Sequence, residues 1–446
     1  MYPVSPTHGG RSRKRRVLII TYYWPPSGGI TVLRCLKFAK YLRQHGWEPV
    51  VFTAAGAHYP SVDASNGRDI PEGIEVLREP IWEPYAWYKK FTGKAADANV
   101  NNVFYTEEVA AGWKHRLAVW IRSNFFIPDA RATWIAPAVQ HILTYLKDHP
   151  VDALLSDGPP HTNTRIATLV SRATGLPWLA DFQDPWTQVD YYQLLNLTPW
   201  ARKRHERMEQ EAFRQASLTT IVSPTWREEL QRVGGRNVKV LYWGYDPDDF
   251  THLQPSPHQN FTLTHLGIMG YDRNPTLLFR ALAHLKAEQP DFADTFKLRL
   301  YGQVDHRVRA SIAAHGLEEN TQYRGNVERA VALQEMVNSH LLLLLQNQQQ
   351  NARGRIPGKF FEYLAARRPI LNLGPVEGDV DQLIRETDSG TTVAYDAEVD
   401  ALCGWLRAQY ARYRSGDFRP VGGRIEAYSH PVLVGQLSNW LTEIAL

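Results

Sequence analysis

The sequence predicts an α/β protein built from two Rossmann-like, doubly wound parallel-sheet domains, and three observations carry that expectation. A chain of 446 residues is too long for one ordinary core. Short apolar runs alternate with helical stretches through both halves, as in successive βαβ units. A polar stretch at 252–260, with Pro255 and Pro257, separates the halves and reads as a linker.

The first alternation opens with an apolar run at 17–21. It turns through Trp24-Pro25-Pro26-Ser27-Gly28-Gly29, takes helical spacing at about 32–44 and becomes apolar again at 49–53. That order is a βαβ unit, whose crossover is normally right-handed. Runs at 153–156, 178–182 and 218–222, with a helix near 164–174, continue it. The rhythm breaks at about 83–126, where Trp87, Trp113, Trp120 and Phe125 interleave with Lys89, Lys114, Arg116 and Arg122. We read this as an insertion that is either buried against its domain or turned toward lipid or acceptor. A second alternation follows, with runs at 261–266, 296–301, 340–345, 369–373 and 391–394 and helices at 275–288 and 359–366. The expected organisation is a basic tail at 1–15, a first domain at 16–252 containing the insertion, a second domain at 261–428, and a final helix within 429–446.

Composition narrows the function classes. Hydrophobic residues at 43% and charged residues at 22% are those of a soluble globular chain. The net charge of +4 comes from Arg11, Arg13, Lys14, Arg15 and Arg16, without which the chain is near −1. A basic tail is not a basic face, so no nucleic-acid partner is expected. Cys35 and Cys403 form no CxxC pair, which argues against a disulfide framework or thiolate metal site and for a cytoplasmic compartment. No stretch approaches the roughly 18 apolar residues of a membrane span. The 14 Trp and 21 Tyr are many, and aromatic faces stack on sugars as well as filling cores.

Candidate site residues gather where strands end. Gly28 and Gly29 lie between a strand and a helix N-terminus, where backbone N–H groups favour a phosphate. The loop Ser156-Asp157-Gly158-Pro159-Pro160-His161 brings an imidazole to the rim of the sheet. Asp181-Phe182-Gln183-Asp184 brings carboxylates to the same rim, so His161 and Asp184 are candidates to orient or deprotonate an acceptor hydroxyl. In the second half, Lys359 and Glu362 stand three apart on one helical face. The cation suits a diphosphate and the carboxylate suits ribose hydroxyls, although on spacing alone a plain surface ion pair is the better reading. Arg273 ends another strand loop and could reach the same phosphates. Trp113, Trp120 and Arg122 of the insertion are candidate acceptor contacts. Nothing has metal-ligand spacing: HExxH, CxxC and a DxD after a strand are all missing.

These phrases, in this order, resemble the family 4 retaining glycosyltransferases over nearly the whole chain. Tyr22-Tyr23-Trp24-Pro25-Pro26-Ser27-Gly28-Gly29 is similar to that family's glycine loop. Ser156 to His161, Ala180-Asp181-Phe182-Gln183-Asp184-Pro185-Trp186 and Pro357-Gly358-Lys359-Phe360-Phe361-Glu362-Tyr363 also fit. The resemblance implies a GT-B fold, two domains facing a central cleft, with the last helix returning to the first domain. It implies a nucleotide-diphospho-sugar as donor substrate and a glycan or lipid-linked acceptor; a peripheral contact with the inner face of the membrane is the expectation that the aromatic-basic insertion adds. Catalysis would need neither cofactor nor metal, with Gly28, Gly29, Arg273 and Lys359 at the diphosphate, Glu362 at the ribose and His161 at the transferred sugar. The chain departs from the pattern at Gly354, where an acid eight residues before Glu362 is common, and at Ile268, Trp243 and Gln183. Two alternatives follow: a catalytically silent binding protein for a nucleotide sugar or glycan, and a non-hydrolysing nucleotide-sugar epimerase.

Overall fold

The computed structural model describes residues 14–83, 113–189, 192, 195–348 and 350–446. Most of the expected insertion, residues 84–112, lies outside the described residues, as does the tail before 14.

The first sheet contains β1 (Arg15–Ile20), β2 (Trp47–Ala55), β3 (Glu75–Pro80), β4 (Ala153–Gly158), β5 (Trp178–Phe182), β6 (Leu218–Ile221) and β7 (Val238–Val240). Its spatial order is β3-β2-β1-β4-β5-β6-β7. Its helices are α1 (Ile30–Leu42), α2 (Trp113–Phe125), α3 (Ile135–Asp148), α4 (His161–Thr174), α5 (Pro199–Gln215) and α6 (Pro224–Arg232). The second sheet contains β8 (Phe261–Leu266), β9 (Phe296–Tyr301), β10 (Thr321–Gly325), β11 (Leu341–Leu345), β12 (Ile370–Leu373) and β13 (Gly390–Val393), ordered β10-β9-β8-β11-β12-β13. With it come α7 (Thr276–Glu288), α8 (Pro290–Thr295), α9 (His306–Ala314), α10 (Arg329–Asn338), α11 (Lys359–Ala366), α12 (Asp379–Thr387) and α13 (Val399–Arg414). Every pairing is parallel.

Parallel strands covered on both faces read as unbroken apolar runs, and their alternation then shows in packing. Leu18 and Ile20 of β1 point into one core, Val17 and Ile19 into another. Leu342 and Leu344 of β11 join the core of Leu18, while Leu341, Leu343 and Leu345 face the outer side of the second sheet. One apolar core is therefore continuous between the two domains. The last helix, α14 (His430–Ile444), places Leu433, Val434, Leu437 and Leu441 in the core formed with α1 and β1. It leaves the second domain beside the segment that enters it: Tyr245 N–H donates to Tyr428 O at 3.0 Å, and His430 N–H to Tyr245 O at 2.7 Å.

Candidate functional site

Both sheets reverse their winding once, between β1 and β4 and between β8 and β11. Open parallel sheets take ligands at such points, beyond the carboxyl ends of the strands. Gly28 and Gly29 follow β1, His161 follows β4, and Arg273 follows β8; the chain after β11 leads to Lys359 and Glu362.

Gly29 precedes α1 with φ of 86° and ψ of 177°, a conformation that disfavours side chains. Gly28 is glycine for another reason. A Cβ there would lie 2.8 Å from Ser61 Oγ, because residues 61–63 pack over the loop. The Gly28 N–H donates to Ser61 O at 2.8 Å. The expected outward pair of amides is thus corrected: Gly28 spends its donor inside the first domain, and only Gly29 and the first turn of α1 remain for an anion.

Across the cleft, a Cβ on Gly358 would lie 2.5 Å from Ile30 Cγ1, so the glycine loop abuts the turn that starts α11. Lys359, the first residue of α11, donates Nζ to Leu266 O at 2.7 Å and lies over Gly267, where a Cβ would meet Nζ at 2.5 Å. Burial, then the positive charge of Arg273, pulls the Lys359 ammonium down to about 8 against the opposing pull of Glu362. Arg273 holds its own neighbour Asp272 at 3.0 and 3.3 Å. The structure therefore brings together Lys359 and Arg273, two cations in one small region where a bound anion relieves their repulsion, and sets Ile30 at the start of α1 against Gly358 beside them.

Glu362 is placed differently from the sequence expectation of an open carboxylate. Its Oε1 accepts from Arg329 Nη1, and Arg329 Nη2 donates to Asp249 Oδ2 at 2.9 Å. Asp249 also pairs with Arg68 at 3.0 Å and lies 3.5 Å from Lys37 Nζ. Lys37 continues to Asp246 at 2.5 Å and Asp69 at 2.6 Å, while Tyr41 and Lys40 reach Asp246 at 2.6 and 2.8 Å. Burial pushes the Asp246 carboxyl up, but Lys37, Lys40 and Tyr41 outweigh it and hold it well below the usual range. Asp69, Asp246 and Asp249 lie close enough to hold a cation, and the Lys37 ammonium sits among them. Sequence reasoning missed this network because its partners stand from 32 to more than 200 residues apart, in no shared motif.

Gly354 also has a physical reason. A Cβ there would collide with Trp226 Cδ1, so an indole from α6 of the first domain fills the space beside it. Nearby, Asp379 at the start of α12 accepts from Thr225 N–H at 3.0 Å and Thr225 Oγ1 at 2.8 Å, a second clasp between the domains.

The first domain carries a cavity of about 180 Å³ at the end of β4, lined by Tyr23, Arg122, Arg131, His161, Trp186 and Tyr192 among others. His161 stacks on Trp186 with centroids 4.3 Å apart and planes 2° from parallel. Burial, then His205, takes its pKa down to about 3, so the ring is neutral at physiological pH. Asp184 is half-buried and does not line this cavity. Of the insertion candidates, Arg122 lines the cavity and Trp120 packs on Phe125 at the surface, 38% exposed. The Trp113 side chain lies outside the described residues.

Beneath the rim, Arg34 and Asp181 form a fully buried bidentate pair at 2.5 and 2.7 Å, and Arg34 also donates to Leu241 O and Tyr242 O at 2.9 Å. Burial, then the charge of Asp181, raises the neighbouring Asp157 carboxyl to about 7.

Residues 28–246 match the family model described as glycosyl transferase 4-like domain. Over that segment the chain is similar to glycosyltransferase domains. Its two-sheet architecture is the GT-B fold. No curated protein matches the sequence. Solved structures share its fold. Sucrose-phosphate synthase from Thermosynechococcus elongatus is 11% identical, with 96% of this chain and 98% of that one covered at a TM-score of 0.62. An Anabaena protein, HepE, solved in complex with UDP, is 14% identical over 96% and 97% at 0.56. WaaG, a glycosyltransferase involved in lipopolysaccharide biosynthesis, is 15% identical over 96% and 99% at 0.54. No helix among the described residues is long and apolar enough to cross a membrane.

Proposed function

We propose that this chain moves a sugar from a nucleotide-diphospho-sugar to a hydroxyl acceptor with retention of configuration, in the synthesis of a surface polysaccharide or glycolipid. The observation that carries the reading is the contact of Ile30, directly after the glycine loop, with Gly358 beside Lys359, whose charge Arg273 feels. Lys359, Arg273 and the N-terminus of α1 stabilise the departing diphosphate, the role a metal ion fills elsewhere. The acceptor oxygen bonds to the anomeric carbon on the face the diphosphate leaves. The anomeric C–O bond breaks, and the acceptor proton passes to a departing phosphate oxygen. His161, neutral beside the first-domain cavity, contacts sugar hydroxyls by hydrogen bonds and serves as no cationic acid. Glu362 accepts from the ribose. UDP in the HepE structure makes a uridine nucleotide the first donor to test. Purified chain with UDP-, GDP-, ADP- and TDP-sugars and chelator is expected to show a thermal shift with one donor and slow nucleotide release. No shift with any donor refutes the site.

We further propose a peripheral contact with anionic lipid. Arg116, Leu117, Trp120 and Phe125 of α2 are exposed, as are Trp200, Lys203, Arg204 and Arg207 of α5. Asn124 joins the helix ends, accepting from Thr198 N–H at 2.7 Å and donating to Asn196 O at 3.3 Å. Aromatic edges among cations suit a headgroup layer. Salt-sensitive co-sedimentation with anionic but not neutral vesicles is expected, and its failure removes the membrane contact.

A catalytically silent nucleotide-sugar binder is the second reading, favoured by Gly354, where the Trp226 indole leaves no room for an acidic side chain. Nucleotide binding without release in the presence of any acceptor supports it over transfer.

A further inference from the structure

One guanidinium ties the second domain to the segment that joins the sheets. Arg329 opens α10, donates Nη1 to Glu362 of α11, and donates Nη2 to Asp249 in the segment that joins the sheets. All three side chains are largely buried, at 19% exposure for Arg329, 11% for Glu362 and 4% for Asp249. Beyond Asp249 stand Arg68 and Lys37, so the anchor at that end is itself braced.

The chemistry needs an arginine. A planar fork presents donors in two fixed directions and spans two carboxylates, whereas an ammonium on a flexible stem behaves as a point charge. The bond to Arg329 takes one oxygen of Glu362, and the other accepts no hydrogen bond from any described residue. A carboxylate offers about four lone-pair positions, so fixing one oxygen leaves the other able to accept. The rotor entropy that a free glutamate loses on binding a ligand has then been lost already in folding.

We propose that Arg329 is a positioning residue of the nucleotide site, holding Glu362 in the orientation that meets a ribose and tying that orientation to the segment joining the two domains. The inference rests on the reading of Glu362 as the ribose acceptor. A guanidinium that merely clasps the domains predicts lower thermal stability on its removal, with unchanged discrimination among nucleotides. A positioning guanidinium predicts lost discrimination at the ribose and at no other part of the ligand.

The test is calorimetric binding of UDP, GDP and ADP, each beside its 2′,3′-dideoxy counterpart, to the full chain and to Arg329→Ala and Arg329→Lys, with thermal melts alongside. For the nucleotide that binds, the wild type is expected to prefer the hydroxylated form by roughly tenfold or more, the size of hydrogen bonds to a charged group. Arg329→Ala is expected to cut that preference to about twofold, and Arg329→Lys to retain part of it. If Arg329→Ala does not fold, Asp249→Asn, which releases the far end of the fork, must lower the preference instead. A preference unchanged in the folded variants overturns the role of Arg329 and leaves Glu362 at the ribose. A wild type that binds a nucleotide and its dideoxy form equally removes Glu362 from the ribose and overturns both.

Discussion

Lys359→Met tests the diphosphate site most directly, because the structure gives both its size and its pH dependence. At pH 7 the Lys359 ammonium, bonded to Leu266 O beside Arg273 and over Gly267, is a cation. A charge-assisted contact of this kind contributes about 1.5–3 kcal/mol, so the variant is expected to bind its nucleoside diphosphate roughly ten- to hundredfold more weakly. Burial has taken the free group to about 8, and the ligand binds the protonated form. About nine-tenths of the wild-type chain carries the proton at pH 7 and about one-tenth at pH 9, so affinity is expected to fall roughly tenfold between them. The variant has no such proton, and its affinity stays flat. Stability moves the other way. A lysine whose folded pKa lies below its unfolded value leaves the unfolded chain holding more protons, so stability rises as pH climbs from about 8 toward the unfolded value. Calorimetry at pH 8.5 in two buffers of different ionisation enthalpy reads proton uptake on binding. A wild-type affinity that does not change between pH 7 and 9, or an equal decline in Lys359→Met, refutes the assignment.

Arg34→Ala leaves Asp181 buried against Thr220 without its guanidinium, and denaturant unfolding is expected to show a loss of about 3–5 kcal/mol. Gly354→Glu drives a side chain into the Trp226 indole; overpacking of this kind costs about 1–3 kcal/mol, read as a lower melting temperature, and Trp226→Ala is expected to destabilise that variant less than it destabilises the wild type. His161 is expected to stay neutral down to about pH 4 by NMR titration, and a rate profile with a step near 6.5 that His161→Ala abolishes contradicts that.

The central strands were legible because they are buried on both faces. The runs at 178–182, 261–266 and 296–301 coincide with β5, β8 and β9. Strands at or near the margins escaped notice. The edge strands β3 and β10 read Glu75-Val76-Leu77-Arg78-Glu79-Pro80 and Thr321-Gln322-Tyr323-Arg324-Gly325, half in solvent and carrying the charge that blunts a sheet edge, and β7 spans only Val238–Val240. In the site, Gly29 and Arg273 were readable as loop positions after strands, and Lys359 by its spacing from Glu362 on one helical face. Arg329, Asp249 and Trp226 were not, since an arginine or tryptophan on a helix gains its meaning only when a distant segment folds against it. The Gly28 donor misled for a similar reason: nothing local tells that Ser61 takes it.

The pairing of Tyr245 with Tyr428 and His430 has a mechanical consequence. The polypeptide crosses from one domain to the other twice, and the outgoing and returning crossings are stitched side by side. Two tethers at one place act like the knuckles of a door: they permit swinging about a shared axis and resist sliding. Any separation of Lys359 from the glycine loop must then be an arc centred on that seam, so a group's travel is set by its distance from it. Shortening the chain before α14 would remove one tether and turn a one-axis joint into a loose swivel.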